Sequence, residues 1–268
     1  MSAETEISFM DIRRAYAETE YGATMAARVR FSSYQGDISN QRWEQLLGAD
    51  VNNLRHTWLS FGLGRSMVRS FRAHDQGFLD AEEEVILPVM GEVHDWAEGV
   101  PDIGDIDYNF KTDDDELAEQ KHLEVLVPTV LNGVEPRLRE AACAAVTELK
   151  SKGSKMWLVF NSLERIGYTR TALNAIAHAN SERAPDCADR FRWLAADVIG
   201  NHVEMLLERS EVHAPVREFL KGRSEAFSNA FRSIPLKTFD NYESPRRAAK
   251  IEAFDAAQAA WQISPFSR

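Results

Sequence analysis

Two cysteines in 268 residues are too few for a disulfide framework. Neither Cys143 nor Cys187 belongs to a CxxC pair or has a histidine beside it, which excludes a cysteine-based zinc site. Both read as free thiols. Long apolar runs are also missing, since none approaches the roughly 20 residues of a membrane helix. The opening residues, MSAETEISFMD, are acidic and lack an apolar signal stretch. A chain without membrane contact, placed in the cytoplasm, is therefore expected. Alternating strand patterns and Asn-Gly hairpin signals are absent as well, which leaves helical periodicity as the organising signal and all-α as the expected fold class.

Basic residues are scarce in one place. Between Asp80 and Glu119 fifteen Asp and Glu face the single Lys111, more acid than the whole net charge of −11. Such a segment repels polyanions unless a cation sits in it, so no stable nucleic-acid complex is expected and a metal site fits. Asp113, Asp114, Asp115 and Glu116 read as solvated.

The periodicity predicts helices over Ile12 to Arg28, Gln41 to Leu47 behind a Ser39 cap, and Asn53 to Phe71 with His56 near the apolar face. A further helix over Asp80 to Val93 has an acidic start and ends at His94-Asp95. Gly99, Pro101 and Gly104 then mark a loop before a helix at Asp114 to Leu126. Others follow over Glu135 to Lys150, Lys155 to Ala179, Asp186 to Ser210 and Val216 to Phe231. An amphipathic helix over Ala248 to Trp261 is suited to packing or to contacts in a homo-oligomer. Punctuation near Ser181 to Pro185 divides a domain at 1–180 from a helical extension at 181–268.

Chemistry concentrates around His56, on one helix, and His94-Asp95-Trp96-Ala97-Glu98 followed by Gly104-Asp105. Two neutral imidazoles and a carboxylate offer mixed nitrogen and oxygen ligands that suit a borderline divalent ion and leave positions open for water and a phosphate oxygen. Glu98 and Asp105 are candidates for proton handling. His74-Asp75, a second HD dipeptide, follows no apolar helix and reads as a surface turn.

This order of motifs, LRHTW around His56, then His94-Asp95 with Glu98, then Gly104-Asp105, resembles the HD-domain phosphohydrolases and, within them, the 5'-deoxynucleotidase branch, over about residues 30 to 175. The resemblance implies an HD-type helical bundle with one divalent metal ion (Mn, Co, Mg, Zn or Fe). It also implies nucleotide substrates whose 5'-phosphate is removed by metal-activated water. Triphosphohydrolase or phosphodiesterase activity, or a degenerate module that binds without turnover, would use the same residues. By the same resemblance His56, His94 and Asp95 are metal ligands, Glu98 and Asp105 are catalytic, and Arg30 binds phosphate. Trp96, Trp58 and Tyr108 are candidates to frame a base.

Two departures from the pattern stand out. Glu98 and Asp105 are spaced more widely than in the family, which makes Asp102 an alternative to Asp105. Asn161 stands where the last metal-ligating aspartate is expected, with Glu164 as an alternative. Only His122 is available as a further histidine between the HD pair and that later helix, so one ion rather than two is expected.

Overall fold

The computed structural model describes residues 3–101, 103–104, 106, 111–181, 187–235 and 247–267, with side chains from Phe9 onward. Among these residues the protein is all-helical, as the periodicity predicts. In chain order the helices are α1 (Ala3–Ala17), α2 (Glu20–Ala26), α3 (Ser32–Gln35), α4 (Asn40–Leu47), α5 (Asn53–His74), α6 (Glu83–Val93) and α7 (Asp113–Val130). They continue with α8 (Pro136–Lys150), α9 (Lys155–Ala179), α10 (Ala188–Val212), α11 (Ala214–Gly222), α12 (Ser224–Ser233) and α13 (Arg247–Ile263). Short 3₁₀ turns occupy Ala49–Val51 and Trp96–Gly99. No described helix is long and apolar enough to cross a membrane.

Most boundaries follow local capping chemistry. Ser39 and Asn52 cap α4 and α5 by accepting from the backbone N–H of Arg42 and Arg55, and Thr112 with Asp115 forms a capping box that starts α7. Two expectations are corrected. The single helix over Ile12 to Arg28 is broken at Glu18–Thr19, because the Thr19 side chain accepts from the Gly22 N–H and restarts the chain as α2. The stretch from Val216 to Phe231 is likewise two helices, α11 and α12, divided at Arg223.

The chain forms two compact units: residues 1–30 with 49–163, and residues 31–48 with 164–268. In the first, α5 packs along α6, α6 on α8, α7 on α8 and on the 3₁₀ turn Trp96–Gly99, and α2 on that turn and on α5. Leu87, Val89, Met90 and Val93 bury the core face of α6. Two glycines let α5 and α6 approach backbone to backbone. A Cβ on Gly64 would lie 2.8 Å from Pro88 Cα, and one on Gly91 2.7 Å from the backbone of Ser60. That contact fixes the register between His56 on α5 and the end of α6.

In the second unit α10 packs against α3, α11 and α13. A buried polar network fastens it: Lys250 Nζ donates to Asp197 Oδ2 at 2.6 Å and lies 3.1 Å from Tyr34 Oη, which also donates to Asp197. Asn201 holds the other Asp197 oxygen at 3.0 Å. Buried His202 carries the Arg165 guanidinium on Nδ1 at 2.7 Å and stacks against Tyr168.

Candidate metal centre

α6 ends at Val93, and the chain tightens at once. His94 is still helical, Asp95 sits at φ −99° and ψ 6°, and the 3₁₀ turn follows. Glu98 therefore lies on this tighter turn, with its N–H on the Asp95 carbonyl at 2.9 Å. The arrangement swings Asp95 back toward α5.

His56, His94 and Asp95 form a group that could hold a metal ion, with one ligand atom from each lying within 4.8 Å of the others. Both imidazole Nε2 atoms face the same carboxylate oxygen, Asp95 Oδ2, His94 at 3.0 Å and His56 at 3.7 Å. The rings meet edge to face with centroids 5.3 Å apart, and the ring of Phe160 on α9 closes the outer side of His94 at 5.3 Å.

The outer nitrogens set the tautomers. His94 Nδ1 is 3.0 Å from the Gly91 carbonyl, which can only accept, so Nδ1 carries the proton and Nε2 keeps its lone pair for the centre of the group. On His56 two partners compete for Nδ1: Asp50 Oδ1 at 3.1 Å accepts from it and frees Nε2, whereas Arg30 Nη1 at 2.6 Å favours the opposite tautomer.

Protonation suits ligation. Burial, reinforced by the Arg30 guanidinium, pulls His56 down to about 4 against the opposing pull of Asp50 and Asp95, so the imidazole is neutral near pH 7. Burial alone would push the Asp95 carboxyl up, but His94, His56 and Arg30 outweigh it and hold the group below the usual carboxylate range. Two neutral nitrogens and one ionised carboxylate are a donor set for a borderline divalent cation.

Around this group lie residues the sequence named and residues it did not. Glu98 is half-buried, with its carboxylate 3.4 Å from Asn53 Nδ2 and its carbonyl accepting from Arg28 Nη1 at 2.7 Å. Arg30 is buried against His56. Trp96, expected as a base platform, is wholly buried and stacked on Tyr16 with ring centroids 4.2 Å apart, so it is core and turns no open face to a ligand. Trp58 packs under the Arg13 guanidinium at 5.2 Å. Asn161 follows Phe160 on α9 and is half-buried, and Glu164 is one turn further on. Asp105, its alternative Asp102, and Tyr108 lie outside the described residues. His122 is exposed and bonded to the Ala118 carbonyl, and His74 is exposed at the end of α5.

Tyr16, Asp50, Lys111 and Glu119 were not singled out as site residues. Tyr16 donates to the Trp96 carbonyl at 2.7 Å, and burial, then Glu98 and Asp95, push its phenol well above the usual range, so it stays protonated beneath the turn. A carboxylate six residues before a helical histidine was the one available signal for Asp50.

Compared with protein-family models, curated proteins and solved structures, the chain matches none.

Proposed function

We propose that the chain is a metal-dependent phosphohydrolase acting on nucleotides, with the removal of a 5'-phosphate from deoxynucleoside monophosphates as its reaction. The observation that carries the hydrolytic part is the convergence of His56, His94 and Asp95, with ligand atoms within 4.8 Å of one another and both Nε2 atoms toward Asp95 Oδ2, while His94 Nδ1 faces the Gly91 carbonyl and His56 Nδ1 is shared between Asp50 and Arg30. The nucleotide part rests on the resemblance in motif order.

One divalent ion would be held by these three residues, with Asn161 as a further oxygen donor. Bound there, such an ion supplies Lewis acidity toward a phosphoryl oxygen and lowers the pKa of water. The protein's own groups do the rest. Asp50 and Gly91 hold the rings in orientation, and Trp96 and Tyr16 exclude water from beneath the turn. Glu98, kept in place by Asn53 and by Arg28 on its carbonyl, accepts a proton from the attacking water or returns one to the leaving oxygen.

The test is phosphate and triphosphate release from a panel of dNMPs, dNTPs and cyclic dinucleotides with Mn²⁺, Co²⁺, Mg²⁺ or EDTA, comparing the wild type with Asp95→Ala. Metal-dependent release lost in the variant is expected, and the panel names the substrate class. No release with any metal would leave a module that binds without turnover.

A further inference from the structure

Asp95, Glu98 and Asp50 spend most of the charge of one divalent ion and of Arg30, so a phosphate entering beside that ion would need a further cation to face it. Arg30, the residue the motif order offers, is buried with its guanidinium on His56. The acidic segment from Asp80 to Glu119 contains a single cation, Lys111. Lys111 immediately precedes the α7 cap, its side chain is one-fifth exposed (21%), and its Nζ lies 2.5 Å from Glu119 Oε2. α7, which carries Glu119, packs on the 3₁₀ turn that carries Glu98 and starts one residue after Asp95. The electrostatics agree: burial pulls the Lys111 ammonium down, but Glu119, then Glu98 and Asp95, outweigh it and raise it, while burial, aided by Asp95, raises the Glu119 carboxyl against the pull of Lys111.

A second observation separates this pair from a simple strut. Glu119 Oε1 is buried and has no hydrogen-bond partner among the described residues. A buried acceptor without a partner carries a desolvation cost that an arriving donor would relieve. Lys111 likewise has three donors, of which Glu119 takes one.

We propose that Lys111 is the phosphate-binding cation of this site and that Glu119 is the carboxylate that positions it, an assignment resting on the phosphohydrolase reading above. Glu119 holds the ammonium on the side of Asp95 and Glu98. An arriving phosphate takes the two remaining N–H donors without displacing the first. Glu119 Oε1 then accepts from a water or a protonated oxygen of the substrate. The ammonium offsets the carboxylates that would otherwise repel the anion, and acts as a point charge rather than a bidentate fork.

The test is calorimetric titration of inorganic phosphate into the Mn²⁺-saturated protein, with Mn²⁺ affinity measured first, for the wild type, Lys111→Met, Lys111→Arg and Glu119→Gln. Lys111→Met should bind Mn²⁺ as well as the wild type or more tightly, having lost a neighbouring cation, and should bind phosphate about tenfold more weakly or worse. Lys111→Arg should retain most of the affinity, and Glu119→Gln should lose less than Lys111→Met. Undiminished phosphate binding in Lys111→Met overturns the assignment, as does a lowered melting temperature with no change in phosphate affinity. Absence of phosphate binding in the wild type, with and without Mn²⁺, overturns it too.

If the wild type binds no Mn²⁺, the titrations are repeated on the metal-free protein. A loss confined to Lys111→Met then sinks the metal reading and leaves Lys111 as an anion site, whereas equal binding sinks both. Should Lys111→Met fail to fold by circular dichroism, Lys111→Gln takes its place.

Discussion

His94 is tied to Gly91, its imidazole Nδ1 donating to the Gly91 carbonyl at 3.0 Å, and the missing side chain of the same glycine is what lets the backbone of Ser60 on α5 come into contact. One residue thus sets both the tautomer of a candidate ligand and its distance from His56. In Gly91→Ala the new Cβ would stand 2.7 Å from Ser60 backbone atoms, which have no flexible end to move, so α5 and α6 must separate. Overpacking of this kind costs about 1–3 kcal/mol. Gly64→Ala strains the same helix pair at Pro88, two turns from His56, and should cost a similar amount. Urea unfolding should therefore rank the two variants together, while Mn²⁺ titration should separate them, with Gly91→Ala losing far more affinity. Equal metal affinity in both would sever the glycine from the site.

Metal binding should be visible as stability. A cation that binds only the folded chain stabilises it by about 2.7 kcal/mol at one hundred times its dissociation constant, so Mn²⁺ should raise the melting temperature and EDTA should reverse the rise. His94→Ala should abolish the shift. Asp50→Ala, which removes the acceptor on His56 Nδ1 and leaves the ligands in place, should weaken binding by about 10- to 100-fold. A full shift in both variants would place the ion elsewhere.

The parts of this centre legible in the sequence are those carried by local pattern. His56 lies on the inner face of a capped helix, and His94-Asp95 closes an apolar one, so periodicity places both. The groups that tune them were not legible for physical reasons. Gly91 acts through its carbonyl and its absent Cβ, neither of which depends on a recognisable side-chain motif. Asp50 sits in a 3₁₀ turn whose direction only the packed fold decides. Lys111 and Glu119 carry no motif of their own: Asp113 and Asp114 read as solvated and are exposed, whereas Glu119, one to two turns further along α7, is partly buried only through the packing of that helix. Trp96 shows the converse error. An aromatic beside a metal motif invites a ligand role, yet stacking on Tyr16 and complete burial make it core. The break at Thr19 was readable in principle, since a threonine followed at once by a glutamate is an ordinary helix start.

Arg13 and Glu92 form an ion pair in the core face between α1 and α6, 3.0 Å apart, with the Glu92 side chain 3% exposed and the guanidinium over Trp58 and Phe61. Burial raises the Glu92 carboxyl against the pull of Arg13. Arg13→Ala leaves a buried carboxylate unpaired and should cost about 3–5 kcal/mol. A carboxyl whose folded pKa exceeds its unfolded value loses stability as pH rises, so the variant should be less destabilised at pH 5 than at pH 7. Combining Arg13→Met with Glu92→Met should recover much of the loss. Urea midpoints at the two pH values decide it, and a pH-independent loss would mean that the Arg13 contacts with Trp58 and Phe61 dominate.

His202 gives the second unit its own acid sensitivity. Burial, then the adjacent Arg165 guanidinium, pulls its pKa from 6.5 down to about 3. The folded state thus keeps the ring neutral while the unfolded state takes up a proton below 6.5. Stability is complete above the unfolded value and falls as pH drops from there toward 3, with a slope of at most about 1.4 kcal/mol per pH unit from this one group. His202→Gln fills a similar volume without titrating, so its stability should decline less steeply between pH 6.5 and 4.5 even if it is lower at neutrality. Arg165→Gln, by removing the nearby charge, should lift the His202 pKa and shorten the window from its acid end. Urea unfolding across that range, with the His202 ring followed by NMR, tests both. Parallel wild-type and His202→Gln curves would assign the acid response to other groups.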